Sequence, residues 1–183
     1  TIAPPISFKQ LPSFGLRNLF ANYEFVRFLL YFGDESIRQT GYSKSPELLE
    51  AVISKDPYFM DFYLFLSQST TIYAGRPEKT IEMIGEGISL INGQYPADGY
   101  RIWRYKAIDE LLFLGDVVSA QISYEEAGKL GVQSPDKYIQ SIGRRSLQTA
   151  SFLSGNPDSK QARISAWGSL MTTTFSDEAR QRA

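Results

Sequence analysis

The chain of 183 residues is close to neutral, with 19 basic and 20 acidic side chains, so its overall field draws it neither to nucleic acid nor to an anionic membrane. It contains no cysteine and no histidine. That removes thiolate nucleophiles, disulfides, imidazole bases and the usual zinc, haem and iron–sulfur ligands together, and neither a cofactor nor a tightly bound metal is expected. Residues 137–183 carry 7 basic against 3 acidic side chains, residues 1–136 carry 12 against 17, and the C-terminal quarter is therefore the basic end.

The first segment, residues 1–15, holds three prolines and alternates apolar with polar residues, which predicts an extended arm rather than a helix. As a docking arm it would bury Ile2, Ile6, Phe8, Leu11 and Phe14; as a linker it would leave them exposed. Residues 16–175 read as a helical domain and residues 176–183 as a tail. The most apolar stretch, Leu19 to Phe32, is interrupted by Glu24 and Arg27 and is too short for a membrane span, so it is predicted to be a buried helix. Gly33 and Asp34 mark a turn, a loop follows from Glu35 to Lys44, and Ser45-Pro46-Glu47 starts a second helix that runs to about Ser54.

From there the chain repeats itself. The segments 74–90, 114–130 and 154–170 align without gaps: Gly75, Gly115 and Gly155 are 40 residues apart, and so are Leu90, Leu130 and Leu170. A fixed period of this size is the signature of stacked helical units. Each glycine is suited to end a helix in the left-handed conformation, and Pro77, Asp116 and Asn156-Pro157 are start signals for the next one. Ile81, Ile84, Ile88 and Ile91 then recur on one helical face. The first helices of these pairs contain Phe62, Phe65, Leu66 and Tyr73 in one unit and Ile102, Trp103, Leu111 and Leu112 in the next. The connections at residues 92–99 and 131–136 are rich in turn formers. Leu90, Leu130 and Leu170 are expected to be equivalent core positions.

With these features the chain resembles the tetratricopeptide-repeat family over residues 19 to about 170: a large-residue first helix, a small residue at each turn, small positions such as Ala120 and Ala127 in a second helix, and the closing Asp56-Pro57. It departs from the family in its period of 40, in a signature tryptophan and tyrosine that are mostly missing, and in Thr80 and Lys160, which replace the alanine matching Ala120. The stretch from Arg17 to Asp34 also looks like the start of bacterial, including cyanobacterial, tetratricopeptide proteins with a membrane-targeted N-terminus. The resemblance implies an all-α fold, a right-handed array of about four antiparallel helical hairpins. It also places Phe20, Tyr23, Arg27 and Leu30; Phe62, Phe65, Ser69 and Ile72; Ile102, Tyr105, Asp109 and Leu112; and Ile142, Arg145, Thr149 and Phe152 on a concave surface. Either these side chains line a binding groove or they fill a tightly wound core.

Functionally, the expected role is a non-catalytic scaffold or accessory subunit that holds a protein partner: an extended segment, a helix or a subunit of a larger assembly. The candidate contact residues are Phe20, Tyr23, Phe62, Phe65, Ile72, Tyr105, Asp109, Leu112 and Arg145. Membrane association is expected only through a partner or an upstream segment, and an extracytoplasmic compartment, a bacterial periplasm or thylakoid lumen, is favoured over the cytoplasm. A helical module for a small ligand or lipid is the alternative. The pairs Asp109-Glu110 and Glu125-Glu126 are expected on solvated faces, since neighbours on a helix diverge by about 100° and cannot share a proton. The basic residues Arg144, Arg145, Lys160, Arg163, Arg180 and Arg182 are expected to be solvated rather than to form an anion site. No nucleotide loop, nucleophile elbow or metal-spaced carboxylate set is present.

Overall fold

A computed structural model describes residues 15–39, 42–173 and 180–181 of the chain. Within them the fold is all-α, without a strand. Most of the expected N-terminal arm and of the C-terminal tail lies outside the described residues.

Helix α1 (Arg17–Phe32) turns its Ala21, Phe28 and Phe32 side towards α3 (Ser45–Lys55), which answers with Leu49, Val52 and Ile53. Pro46 sits in the first turn of α3, where its missing N–H removes nothing the helix would use. The loop between them contains a four-residue helix, α2 (Glu35–Arg38), because the Asp34 carboxylate accepts hydrogen bonds from the Ser36 amide and hydroxyl at 2.8 and 2.7 Å. The Asp56-Pro57 segment that ends this pair is fastened to the next one: the Tyr63 hydroxyl donates to the Pro57 carbonyl at 3.0 Å. A Cβ at Gly87 would lie 2.1 Å from that hydroxyl oxygen, so Gly87 is the seat of Tyr63.

Helix α4 (Met60–Leu66) widens into a π-helical segment, Ser67–Tyr73, before the chain folds back into α5 (Pro77–Ile91). Helix α6 (Tyr100–Asp109) widens in the same way over Glu110–Leu114, and the chain folds back into α7 (Val117–Val132). Gly75 and Gly115 close the two wide turns with φ of +69° and +71°, the left-handed conformation that glycine adopts without strain. Asp116 then caps α7 through the Ser119 amide at 2.9 Å, and Pro77 opens α5. Ile84 and Ile91 of α5 are fully buried, with Ile88 packed at the margin of the same core.

The third alignment segment behaves differently. The left-handed residue after α8 (Lys137–Leu153) is Asn156, not Gly155, and Pro157 lies ahead of α9 (Lys160–Thr173) rather than in its first turn. Helix α8 packs closely along α7, whereas α9 leaves α8 and lies against the two π-helical segments. The fourth hairpin expected from the repeat is therefore not a closely packed pair. Nor are the three leucines equivalent: Leu170 is buried against Ile72 and Phe113, Leu130 is half-buried and Leu90 is 44 % exposed. A shared sequence period fixes the turns but not the neighbours, and α5, α7 and α9 have different neighbours. Among the described residues no helix is long and apolar enough to cross a membrane.

The α7–α8 contact is made of small residues. Gly128, Gly131, Gly143 and Ser146 are buried, and a Cβ at Gly143 would meet the Val132 nitrogen at 2.5 Å and the Gly131 carbonyl carbon at 2.7 Å. Backbone faces backbone, and neither can yield as a side chain would. Glycine to alanine inside a helix normally stabilises by about 1 kcal/mol, and at Gly168 of α9, where a Cβ meets open space, that gain is expected. Gly143→Ala should instead destabilise by about 1–3 kcal/mol. Urea denaturation of both variants checks the opposite signs, and equal shifts would show that α7 and α8 are farther apart than described.

Candidate protein-binding surface

The residues expected on a concave surface separate into two groups once burial is taken into account. Phe62 and Asp109 are fully buried and cannot meet a partner. Phe62 belongs to the main core, in ring contact with Phe59 and Tyr63, while the half-buried Phe65 closes over it against Phe25, Phe28 and Phe32 at centroid distances of 5.6, 6.0 and 6.3 Å. Here the aromatic side chains fill the core. Phe20, Ile72, Tyr105 and Leu112 are half-buried, and Tyr23 and Arg145 are exposed.

Phe65 of α4 and Tyr105 of α6 both border the main core from outside, and one turn before them Asp61 and Arg101 are joined across the two helices by an ion pair of 2.6 Å, both side chains being solvent-accessible. The α4–α6 ridge thus shows half-buried aromatic surface beside paired charge. Arg101 also lies within 3.7 Å of Asp98, so its position is set from two sides.

At the other end of this ridge stands α9. Trp167 meets Phe113 edge-on at 5.4 Å, and Leu170 packs with them and Ile72. The Arg163 guanidinium covers Gly115, whose hypothetical Cβ it would meet at 2.5 Å. Between α9 and the π-helical segments an open cleft of about 370 Å³ remains, lined by Gln68, Ile72, Tyr73, Phe113, Ala166 and Leu170. Ile72 was expected to face a partner; α9 of the same chain already takes part of that place.

Under the ridge lies a buried polar layer that the sequence does not announce. The Ser67 hydroxyl donates to Asp109 Oδ1 at 3.0 Å, linking the two first helices, and Asp109 Oδ2 has no hydrogen-bond partner. Thr71 donates to Thr80 at 2.8 Å. Next to Asp109, Glu110 accepts from Lys106 through Oε1 and from Ser123 through Oε2 at 2.6 Å, while Lys106 also donates to Ser123 at 3.1 Å. The expectation that Asp109 and Glu110 form a solvated face is therefore wrong: both are buried, pointing to different helices. By contrast Glu125 and Glu126 are accessible, each paired with Lys129. Burial pushes the Asp109 carboxyl up to about 7, against the nearby hydroxyls of Ser67 and Thr71, and the charge of Glu110 adds to the rise.

The sign of the pH effect follows. A carboxyl whose folded value stands above its unfolded value of 3.8 contributes stability in its neutral form, full below about pH 4 and lost as pH rises through about 7. Asp109→Asn keeps the acceptor for Ser67 and cannot ionise. Its stability should match the parent at pH 4 and exceed it at pH 8 by on the order of 1–4 kcal/mol, measured by denaturant unfolding across that range. Parallel curves for the two proteins would place Asp109 in contact with water.

No protein-family model matches the chain, and no curated protein or solved structure matches it either.

Proposed function

We propose that the protein is a non-catalytic interaction scaffold built of tetratricopeptide-like helical hairpins, and that it holds a protein partner along the ridge formed by α4 and α6. The observation that carries this reading is the combination at Phe65, Tyr105, Asp61 and Arg101: half-buried aromatic surface with an accessible ion pair one turn before it. Protein interfaces have that anatomy, an apolar centre with a polar rim, and a tyrosine whose ring is already held by packing loses little freedom when a partner covers it. The buried polar layer supports the same assignment, because the hydrogen bond from Ser67 to Asp109 fixes how the two first helices sit beside each other and hence the spacing of the ridge. An extended segment or a helix fits such a ridge better than a globular surface does.

Tyr105 is the residue to test, since Phe65 is committed to the core and its removal would disturb folding. With the native partner captured on tagged protein, Tyr105→Ala should weaken binding by about 2 kcal/mol or more, while Tyr138→Ala, on the exposed first turn of α8, should leave it unchanged. Equal capture by both variants, with unaltered melting, moves the binding site away from the ridge.

The cleft under α9 favours a second reading, a site for a small apolar ligand, because Ile72, Phe113 and Leu170 line it and a few polar groups stand at its edge. Titration with a medium-chain fatty acid should then saturably change the Trp167 emission of a Trp103→Phe variant, whose only tryptophan is Trp167, and Ala166→Phe, which fills the cleft, should abolish the change.

A further inference from the structure

Helix α8 shows solvent a face that the packing of the fold does not use. Gly143, Ser146, Ala150 and Leu153 form its buried side, and α9 leaves α8 rather than covering it. On the outer side Tyr138, Ile142, Arg145, Thr149 and Phe152 follow one another at spacings of 4, 3, 4 and 3 residues, which places them within about 80° of arc on an α-helix. That spacing is the seam along which a second helix packs. Its two ends are rings, Tyr138 and Phe152, with 71 and 68 % of their surface exposed and about 21 Å apart along the axis. Its centre is the exposed Arg145.

The charge on this face has one sign. Helix α8 contains no acidic residue. Lys137 and Arg144 stand exposed beside the seam, and among the described residues no carboxylate pairs with Lys137, Arg144 or Arg145. The nearest acids in sequence, Asp136 and Asp158, are engaged with backbone, accepting from the amides of Tyr138 at 2.7 Å and Lys160 at 2.8 Å. Elsewhere the chain gives its cations a partner: Lys79, Arg101, Lys106 and Lys129 each meet a carboxylate. Residues 1–136, moreover, carry 12 basic against 17 acidic side chains, so an anionic partner is repelled by the body of the chain and steered to this end.

We propose that the outer face of α8 is a docking surface for an acidic amphipathic helix of a second protein partner, which sets carboxylates against Arg144 and Arg145 and apolar side chains against Tyr138 and Phe152. Guanidinium groups grip carboxylates with paired hydrogen bonds, and the rings supply the apolar ends of the seam. A second copy of this chain laying α8 on α8 would bring arginine against arginine at the centre. Three cations are few for a nucleic acid, whose affinity rests on neutralising many phosphates, and two rings make a narrow apolar face for a helix lying in a membrane interface. The surface is on a different helix from the α4–α6 ridge and does not rest on that reading. Because its ion pairs form in solvent, binding is weak and falls with salt.

The test uses an alanine-based helical peptide of about 21 residues, with leucines two heptads apart and glutamates between them, labelled with rhodamine. Anisotropy with the full chain should give a Kd on the order of 10–100 μM, about fivefold tighter than for the same peptide with glutamine in place of glutamate. The difference should vanish as salt rises from about 50 to about 500 mM. Arg144→Glu with Arg145→Glu should abolish binding of the glutamate peptide and confer binding of a lysine counterpart, without changing the helical spectrum, since both side chains are exposed. Tyr138→Ala should weaken the peptide several-fold while Tyr105→Ala leaves it unchanged, so that failure of this surface and failure of the ridge are separable. Equal binding of the glutamate and glutamine peptides, or of neither, overturns the proposal, as does glutamate-peptide binding that survives the double substitution. Arginine-dependent binding of phosphatidylserine vesicles or single-stranded RNA in preference to the peptide, or arginine-dependent self-association on sedimentation, assigns the face to lipid, to nucleic acid or to another copy and overturns it as well.

Discussion

The packing of α1 against α4 through phenylalanine rings is the contact from which the rest of the architecture takes its position. Phe28 is completely enclosed, with Phe25 and Phe32 stacked on either side in its own helix and Phe65 reaching it edge-on from α4. Ring pairs at these separations contribute more than their area alone, and the geometry is demanding: a ring must find an edge or an offset face. Once α1 and α4 are set, α3 and α5 follow, because Leu49, Val52 and Ile53 and then Met83, Ile84 and Ile91 can only be buried from the other side of the same cluster.

The second level of organisation is polar. A core of rings alone would tolerate sliding of one first helix along the next. The Ser67–Asp109 hydrogen bond and the Lys106–Glu110–Ser123 triangle are directional and buried, so a shift of α6 along α4 or α7 would leave charged or hydroxyl groups without partners at considerable cost. The ridge proposed above as a binding surface would need such precision, although leucine in the place of the ionisable groups would give a more stable protein at neutral pH.

What the sequence discloses and what it hides divide along a physical line. Gly75, Gly115, Pro77 and Asp116 act within one turn of their own backbone, and their roles follow from residue type and spacing. The all-α class was legible for the same reason. The fates of Leu90, Asp109 and Glu110 were not, because each is decided by a helix that is distant in sequence: Asp109 is buried by Ser67, 42 residues away. The resting place of α9 was hidden too. Its side chains are apolar around much of its circumference, so periodicity does not point to one face, and the contact of Trp167 with Phe113 is a property of the assembled fold. The aromatic first helices were visible in the sequence as a group, but dividing them into core and ridge took knowledge of how deep each helix lies.

The π-helical segments carry a further implication. A π turn accommodates one residue more than an α turn, and such turns are well explained as single-residue insertions absorbed by widening the helix. In Ser67–Tyr73 the widening brings Gly75 to the turn while Ser67 stays against Asp109. Loss of one residue there would not merely shorten the helix. It would let the segment wind into ordinary α-helix and rotate everything after it by about 100°, carrying Ile72 and Tyr73 off the surface on which α9 rests. The length of this short stretch is therefore as constrained as its composition, and among natural variants of the chain insertions and deletions should collect in the connections at residues 92–99 and leave the wide turns untouched.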